Sequence, residues 1–373
     1  MADGPGDAGE PGPPSGELPL PQVDRTELLE VLDRVILGET RHLTRLDVCR
    51  RAGITPERAD ELWRSLGFTA STSDDEVRFV DADVRALQLL RELLDGGLVE
   101  SSSEFALARS MGRSFALLAE WEIAEIATAV IQDPDHLDLE ALEELIAVAV
   151  PMVEQIQNYT WRRHLANAAG RLLLQPATGE GAVRMAVGFA DIVGYTRQSR
   201  SLTTAGLAEL VETFESTVGT VISDHGGRVI KTIGDEVMFV ADDRETAARI
   251  ALSLAGGHAL DHLFPQVRVG VAYGDVLRRL GDVYGEVVNI ASRLTTLARP
   301  GRVLTNGEMA DALADNDEFR VRRARTAVVK GYSRLETWSL RRPKPAPEER
   351  AAEKELERAE REARRDERRE SRR

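Results

Sequence analysis

Between Asp24 and about Leu174 the apolar positions recur at helical spacing. Leu28, Leu29, Leu32, Val35 and Ile36 form one stripe, and Val84, Leu87, Leu90 and Leu94 form another with Arg91 as a polar member. Two longer helices are expected over about 114–131 and 139–172, the second kinked or split by Pro151. Residues 175–183 (QPATGEGAV) carry a Pro and two Gly and read as a linker. Beyond it the texture changes. MAVGFADIV, GRVIKTI, DEVMFVA and QVRVGVAYG are apolar or alternating runs rich in β-branched residues, which predicts strands. Amphipathic helical stretches lie between or after them, at about 204–224, 244–262 and 286–298. Strands alternating with helices predict helices layered against a sheet.

The two ends lack such patterning. Residues 1–22 are rich in Gly and Pro without large apolar clusters, and are expected to be disordered. Residues 343–373 hold 11 basic and 10 acidic residues, a charged tail with almost no apolar face. This gives a helical domain over 23–174 and a second domain over 184–342, and a length of 373 residues suits two domains.

Charge and cysteine content narrow the setting. A net charge of −15 argues against broad nucleic-acid binding, which depends on Lys and Arg neutralising phosphates. Cys49 is the single cysteine and cannot form an intramolecular disulfide, which points to a reducing cytoplasm. The N-terminus has no basic start or apolar core of a signal peptide, and no uncharged apolar run reaches the ~18 residues of a membrane span. A soluble chain is expected.

The candidate chemistry begins at Phe189-Ala190-Asp191-Ile192-Val193-Gly194-Tyr195-Thr196, where an aspartate ends an apolar strand before a glycine turn. The C-terminal edge of a strand is where open sheets place ligands. A second piece, Lys231-Thr232-Ile233-Gly234-Asp235-Glu236-Val237-Met238, reads as two strands around a tight hairpin with Asp235 at its tip. If the hairpin lies beside the first strand, Asp191 and Asp235 converge. Paired hard carboxylates suit Mg²⁺ or Mn²⁺ held together with substrate phosphates, for an in-line displacement at phosphorus. Each aspartate taken singly also fits plain turn chemistry.

These two segments and Gly281–Leu294 (GDVYGEVVNIASRL) resemble the three signature segments of class III nucleotidyl cyclases, over about 184–340. The resemblance implies an α+β fold: a ferredoxin-like catalytic sheet with helices on one face, preceded here by an all-α regulatory domain. It implies a head-to-tail homodimer with active sites in the interface. One subunit would supply Asp191 and Asp235, with the Ile192 carbonyl, to two metal ions. The other would supply Lys231 and Asp282 for the base, and Asn289 and Arg293 for the transition state. Lys330, in Val328-Val329-Lys330-Gly331, matches a triphosphate-binding lysine. Asn289 and Arg293 stand four apart and share a helix face. Lys231 donates and Asp282 accepts, which matches the N1 and N6 of adenine, so ATP is expected over GTP.

His42–Phe68 reads as a helix-turn-helix, with Thr55 as N-cap and Pro56 opening the second helix. Glu57, Asp60 and Glu61 on that helix favour a packing module over a DNA reader. The 24–175 region resembles the helical regulatory, autoinhibitory domain of some actinobacterial adenylate cyclases, a group with pH-responsive members. A lipid or a proton are the effectors this allows, and His164, in Trp161-Arg162-Arg163-His164, is the histidine placed to report pH. The alternatives are a nucleotide-responsive DNA-binding regulator and a guanylate cyclase.

Overall fold

The computed structural model describes residues 25–69, 73–132, 139–174, 182–329 and 331–343. The expected disordered N-terminus, the charged tail beyond Pro343 and Lys330 lie outside the described residues, as does most of the linker. The chain divides between Gln175 and Pro176 into two units. No helix of the described residues is long and apolar enough to cross a membrane.

The first unit runs α1 (Arg25–Leu37), β1 (Leu43–Thr44), α2 (Arg45–Ala52), α3 (Pro56–Ser65), β2 (Val77–Phe79), α4 (Asp81–Asp95), α5 (Glu104–Gln132) and α6 (Leu139–Leu174). Local chemistry sets its boundaries. Thr44 and Asp47 form a capping box that opens α2, Gly53 closes it at φ 70°, and Thr55 caps α3 with Pro56 in its first turn. The buried faces of α2 and α3 (Val48, Cys49, Ala52, Ala59, Leu62, Trp63) pack on Val84 and Leu87 of α4. On α3, Arg58 pairs with the buried Glu104 and Asp60 with Arg45, so this helix spends its charges inside the unit.

Two features depart from the sequence pattern. The helical unit contains a short antiparallel ribbon, β1 against β2, whose strands are too short to show a period of two. Trp63 stacks on Phe79 of that ribbon with ring centroids 4.6 Å apart. Helix α6 also runs unbroken past Pro151, which removes one intrahelical bond while those on either side persist.

The second unit runs β3 (Ala182–Ile192), α7 (Tyr195–Gln198), α8 (Thr204–Asp224), β4 (Arg228–Ile233), β5 (Glu236–Ala241), α9 (Arg244–Leu260), β6 (Val267–Arg279), β7 (Asp282–Tyr284), α10 (Glu286–Leu297), β8 (Val303–Thr305), α11 (Gly307–Ala312), β9 (Arg320–Arg323), β10 (Ala327–Val329), β11 (Tyr332–Leu335) and β12 (Trp338–Arg341). Its main sheet has the order β4-β5-β3-β6-β8-β12-β9, with β7 folded back on β6. The β3–α8–β4–β5–α9–β6 half is a βαββαβ unit with antiparallel neighbours, the ferredoxin-like arrangement. β8 adds parallel to β6, and β12 and β9 extend the sheet antiparallel.

Alternation along β3 assigns the faces. Ala186, Ala190 and Ile192 meet Phe214, Val218 and Ile222 of α8 and Ile250 and Leu254 of α9. Met185, Val187 and Phe189 face the other way, onto Val287, Ala291 and Leu294 of α10. Helices therefore cover both faces, not one. Gly270 of β6 makes the second layer possible: a Cβ there would lie 2.2 Å from the Thr295 backbone nitrogen and 2.5 Å from the Ala291 carbonyl oxygen of α10.

Candidate active site

The sheet brings distant residues together through register. Asp191, next to last in β3, lies opposite Glu236 of β5 and opposite Arg268 of β6. All three share the parity of the α10-facing residues of their strands, so they project from one face. Asp235 joins them from the β4–β5 turn, where Gly234 takes φ 64° and the Ile192 amide donates to the Asp235 carbonyl at 3.1 Å. Asp191 and Asp235 thus converge as the sequence predicts. Ile192 itself buries its side chain against α8 and α9 while its backbone stays at the strand end.

Glu236 and Arg268 were missed by sequence reasoning. The Arg268 Nε donates to Asp191 Oδ2, and its Nη1 donates to the Thr296 carbonyl in α10 at 3.3 Å. Glu236 sat in plain view beside Asp235, but its closeness to Asp191 depends on strand register. Arg268 is one basic residue in an apolar run, and only the β3–β6 pairing shows its partner.

Burial raises the Asp191 pKa above the usual carboxylate range, Asp235 adds to this, and Arg268 opposes it. Burial also lifts Glu236, and with the charges of Asp191 and Asp235 it reaches about 7 against the pull of Arg268. Three carboxylates facing one guanidinium leave an excess of negative charge in a half-buried place. Hard oxygen donors with that excess fit a divalent cation such as Mg²⁺ or Mn²⁺.

A second group forms where β7 reaches the β4 strand. The Lys231 Nζ donates to Asp282 Oδ2 at 2.5 Å, and the Val283 amide donates to Asp282 Oδ1 at 2.8 Å. Burial works against ionisation of Asp282, but these bonds outweigh it and hold its pKa below the usual value. Donor and acceptor are therefore already joined to each other before any ligand arrives.

α10 begins at Gly285 and presents Asn289, exposed, and Arg293, half-buried, one turn apart. Tyr332 of β11 stands near this helix and also escaped sequence reasoning. Burial and a hydrogen bond with Glu286 raise its hydroxyl pKa, and Arg293 opposes the shift. Within one chain, no hydrogen bond or ion pair among the described residues joins Asp191 and Asp235 to the Lys231–Asp282 pair, or either group to Asn289 and Arg293.

The family model described as "Adenylate and Guanylate cyclase catalytic domain" matches residues 180–342. An adenylate cyclase of Glutamicibacter nicotianae is 36% identical over 327 residues, which span 83% of this chain and 81% of the relative. An adenylate cyclase of Streptomyces coelicolor is 40% identical over 286 residues, 76% of this chain and 74% of that protein. A "pH-sensitive adenylate cyclase" of Mycobacterium tuberculosis is 27% identical over 303 residues, 76% of this chain and 75% of its own.

Proposed function

The chain belongs to the class III nucleotide cyclases and is an adenylate cyclase, and from that premise we propose that it closes ATP to 3′,5′-cyclic AMP in two-metal sites shared between two copies. The observation that carries the reading is the convergence of Asp191 and Asp235 beside Glu236. Asp191, Asp235 and the Ile192 carbonyl would hold the cations. Bound Mg²⁺ or Mn²⁺ would supply Lewis acidity that lowers the pKa of the ribose 3′-hydroxyl and neutralises charge on the leaving pyrophosphate. Arg268 keeps Asp191 paired in their absence.

The other residues bind and orient. Lys231 donates to adenine N1 and Asp282 accepts from the N6 amino group; their mutual bond presets the pair for a base with that pattern. Arg293 neutralises charge developing on the α-phosphoryl oxygens, and Asn289 positions the ribose. Lys330 is assigned to the triphosphate. The lack, among the described residues, of any hydrogen bond or ion pair between the metal-binding carboxylates and the base and ribose residues is compatible with a site completed by a second copy. Exposed apolar side chains along α5 and α6, including Phe115, Trp121, Ile156 and Trp161, offer that copy surface to cover.

Incubation with ATP or GTP and Mg²⁺ or Mn²⁺, with detection of the cyclic product, tests the activity. Cyclic AMP should dominate, and chelation or Asp191→Ala should abolish it. Cyclic GMP as the main product would overturn the base assignment.

The helical unit is assigned a regulatory role in a cytoplasmic enzyme. The pH-sensitive relative and the exposed position of His164 on α6 support a proton as effector. An apolar cavity of about 330 Å³ between α1, α5 and α6, lined by Ile36, Phe115, Ile123 and Val153 among others, supports a lipid as the alternative. His164→Ala should flatten the activity–pH profile if the proton reading holds.

A further inference from the structure

The outer part of the catalytic sheet carries a charge pattern that cyclisation does not use. β9 reads Arg320-Val321-Arg322-Arg323, and β12 ends in Leu340-Arg341, followed by Arg342. Val321 and Leu340 pack into the core, so Arg320, Arg322, Ser339 and Arg341 share the opposite face. The register sets Arg320 directly across from Arg341, and Arg322 across from Ser339.

Like charges directly opposed on a sheet destabilise it. Arg323 is relieved by Glu336 at 2.6 Å, and Arg342 donates to Ser253 Oγ at 3.2 Å. Arg320, Arg322 and Arg341 have no carboxylate partner among the described residues. The chain has 63 acidic residues against 48 Lys and Arg, so the lack of acids here among the described residues runs against the overall balance. Protection of an edge strand by charge would account for the arginines of β9. It does not account for Arg341, because β12 lies between β8 and β9 and has no free edge.

The five arginines line a groove of about 450 Å³ together with Ser339 and one alanine. Among the described residues no aromatic ring lines it for a base to stack on. What it offers is guanidinium forks, which match phosphate oxygens bidentately.

We propose that the β9–β12 groove is an anion site for phosphate groups, either of a free oligophosphate or of a lipid headgroup. The site lies at the opposite end of the sheet from the β4–β5 hairpin that carries Asp235. Arg320, Arg322 and Arg341 supply the charge, Ser339 a hydroxyl donor, and the ligand replaces the missing carboxylates.

The test compares the full chain with Arg320→Gln/Arg322→Gln/Arg341→Gln, in EDTA at about 0.15 M salt to keep long-range attraction screened. Inorganic tripolyphosphate binding is read by calorimetry, and sedimentation is read with vesicles containing phosphatidylglycerol. The intact protein should bind tripolyphosphate, and the variant should bind it roughly tenfold or more weakly, as expected when charge-assisted bonds are lost. Vesicle binding lost in the variant, without tripolyphosphate binding by the intact protein, assigns the lipid source. Equal binding by both proteins, or binding of neither probe by the intact chain, overturns the proposal. Melting curves of the variant in buffer alone distinguish a lost site from a lost fold: removal of opposed charges should leave its Tm unchanged or raised.

Discussion

Glu236 is half-buried opposite Asp191 and beside Asp235, and its pKa is pushed up to about 7 from 4.5. The unfolded chain releases this proton above about 4.5, while the folded metal-free chain holds it until about 7. Folding therefore binds a proton, and stability present at low pH is lost as pH rises through that window. Solvent screening of this half-exposed group keeps the loss well under the roughly 3 kcal/mol that the full shift would give, and the raised Asp191 acts in the same direction. In EDTA, stability measured by urea unfolding should fall between pH 5 and 8. Glu236→Gln should flatten that slope, and superimposable profiles would show that Glu236 is not held protonated. Lys231 makes a prediction of the other kind. Lys231→Glu puts an acceptor where adenine N1 needs a donor. It should lower kcat/KM for ATP roughly ten- to a hundredfold, the scale of a lost charge-assisted hydrogen bond. Parallel kinetics with ATP and GTP check it, and an unchanged ATP value removes Lys231 from base recognition.

At the scale of elements, α10 is the piece whose placement decides most. It carries Asn289 and Arg293, its C-terminal turn holds Arg268 through the Thr296 carbonyl, and it lies against bare backbone at Gly270. Gly270→Ala would force backbone apart and not merely a side chain. A loss of about 1–3 kcal/mol is expected from such overpacking, with activity falling as α10 shifts. A Tm equal to that of the intact protein would show that the helix tolerates the methyl group. This contact also marks where sequence reading stops. Asp191, Asp235, Lys231, Asp282, Asn289 and Arg293 could be named as candidates because each lies in a short contiguous motif. The helices over 204–224 and 286–298 were legible because their apolar period is strong. Arg268, Tyr332 and the partnership of Glu236 with Asp191 depend on strand pairing between remote segments, which no local period encodes. The second helical layer was hidden for the same reason, since one glycine in a strand gives no hint of the helix that needs it. The extension from β8 to β12 consists of strands of three or four residues, too short to carry a pattern.

For the whole molecule, the decisive question is whether one active site is built by one chain or by two. A single chain carries the metal-type carboxylates and, on α10, Asn289 and Arg293. Arg268 ties Asp191 to the end of that helix, but no hydrogen bond or ion pair among the described residues runs from the carboxylates to Asn289 or Arg293 themselves. A closed two-fold dimer would pair each set with its complement from the other copy and yield two equivalent sites. Loss of Asp191 from one copy and of Arg293 from the other would then put both lesions into one shared site and leave the second intact. Asp191→Ala and Arg293→Ala proteins, each inactive alone, should regain activity when subunits exchange. A statistical mixture is half heterodimer, and each heterodimer has one good site of two, so recovery should approach about a quarter of the normal rate per chain. Sites complete within one chain would give no recovery at any mixing ratio. Exchange is verified separately by differently tagged subunits, so a silent mixture with proven exchange would sink the shared-site reading while leaving the cyclase activity itself untouched.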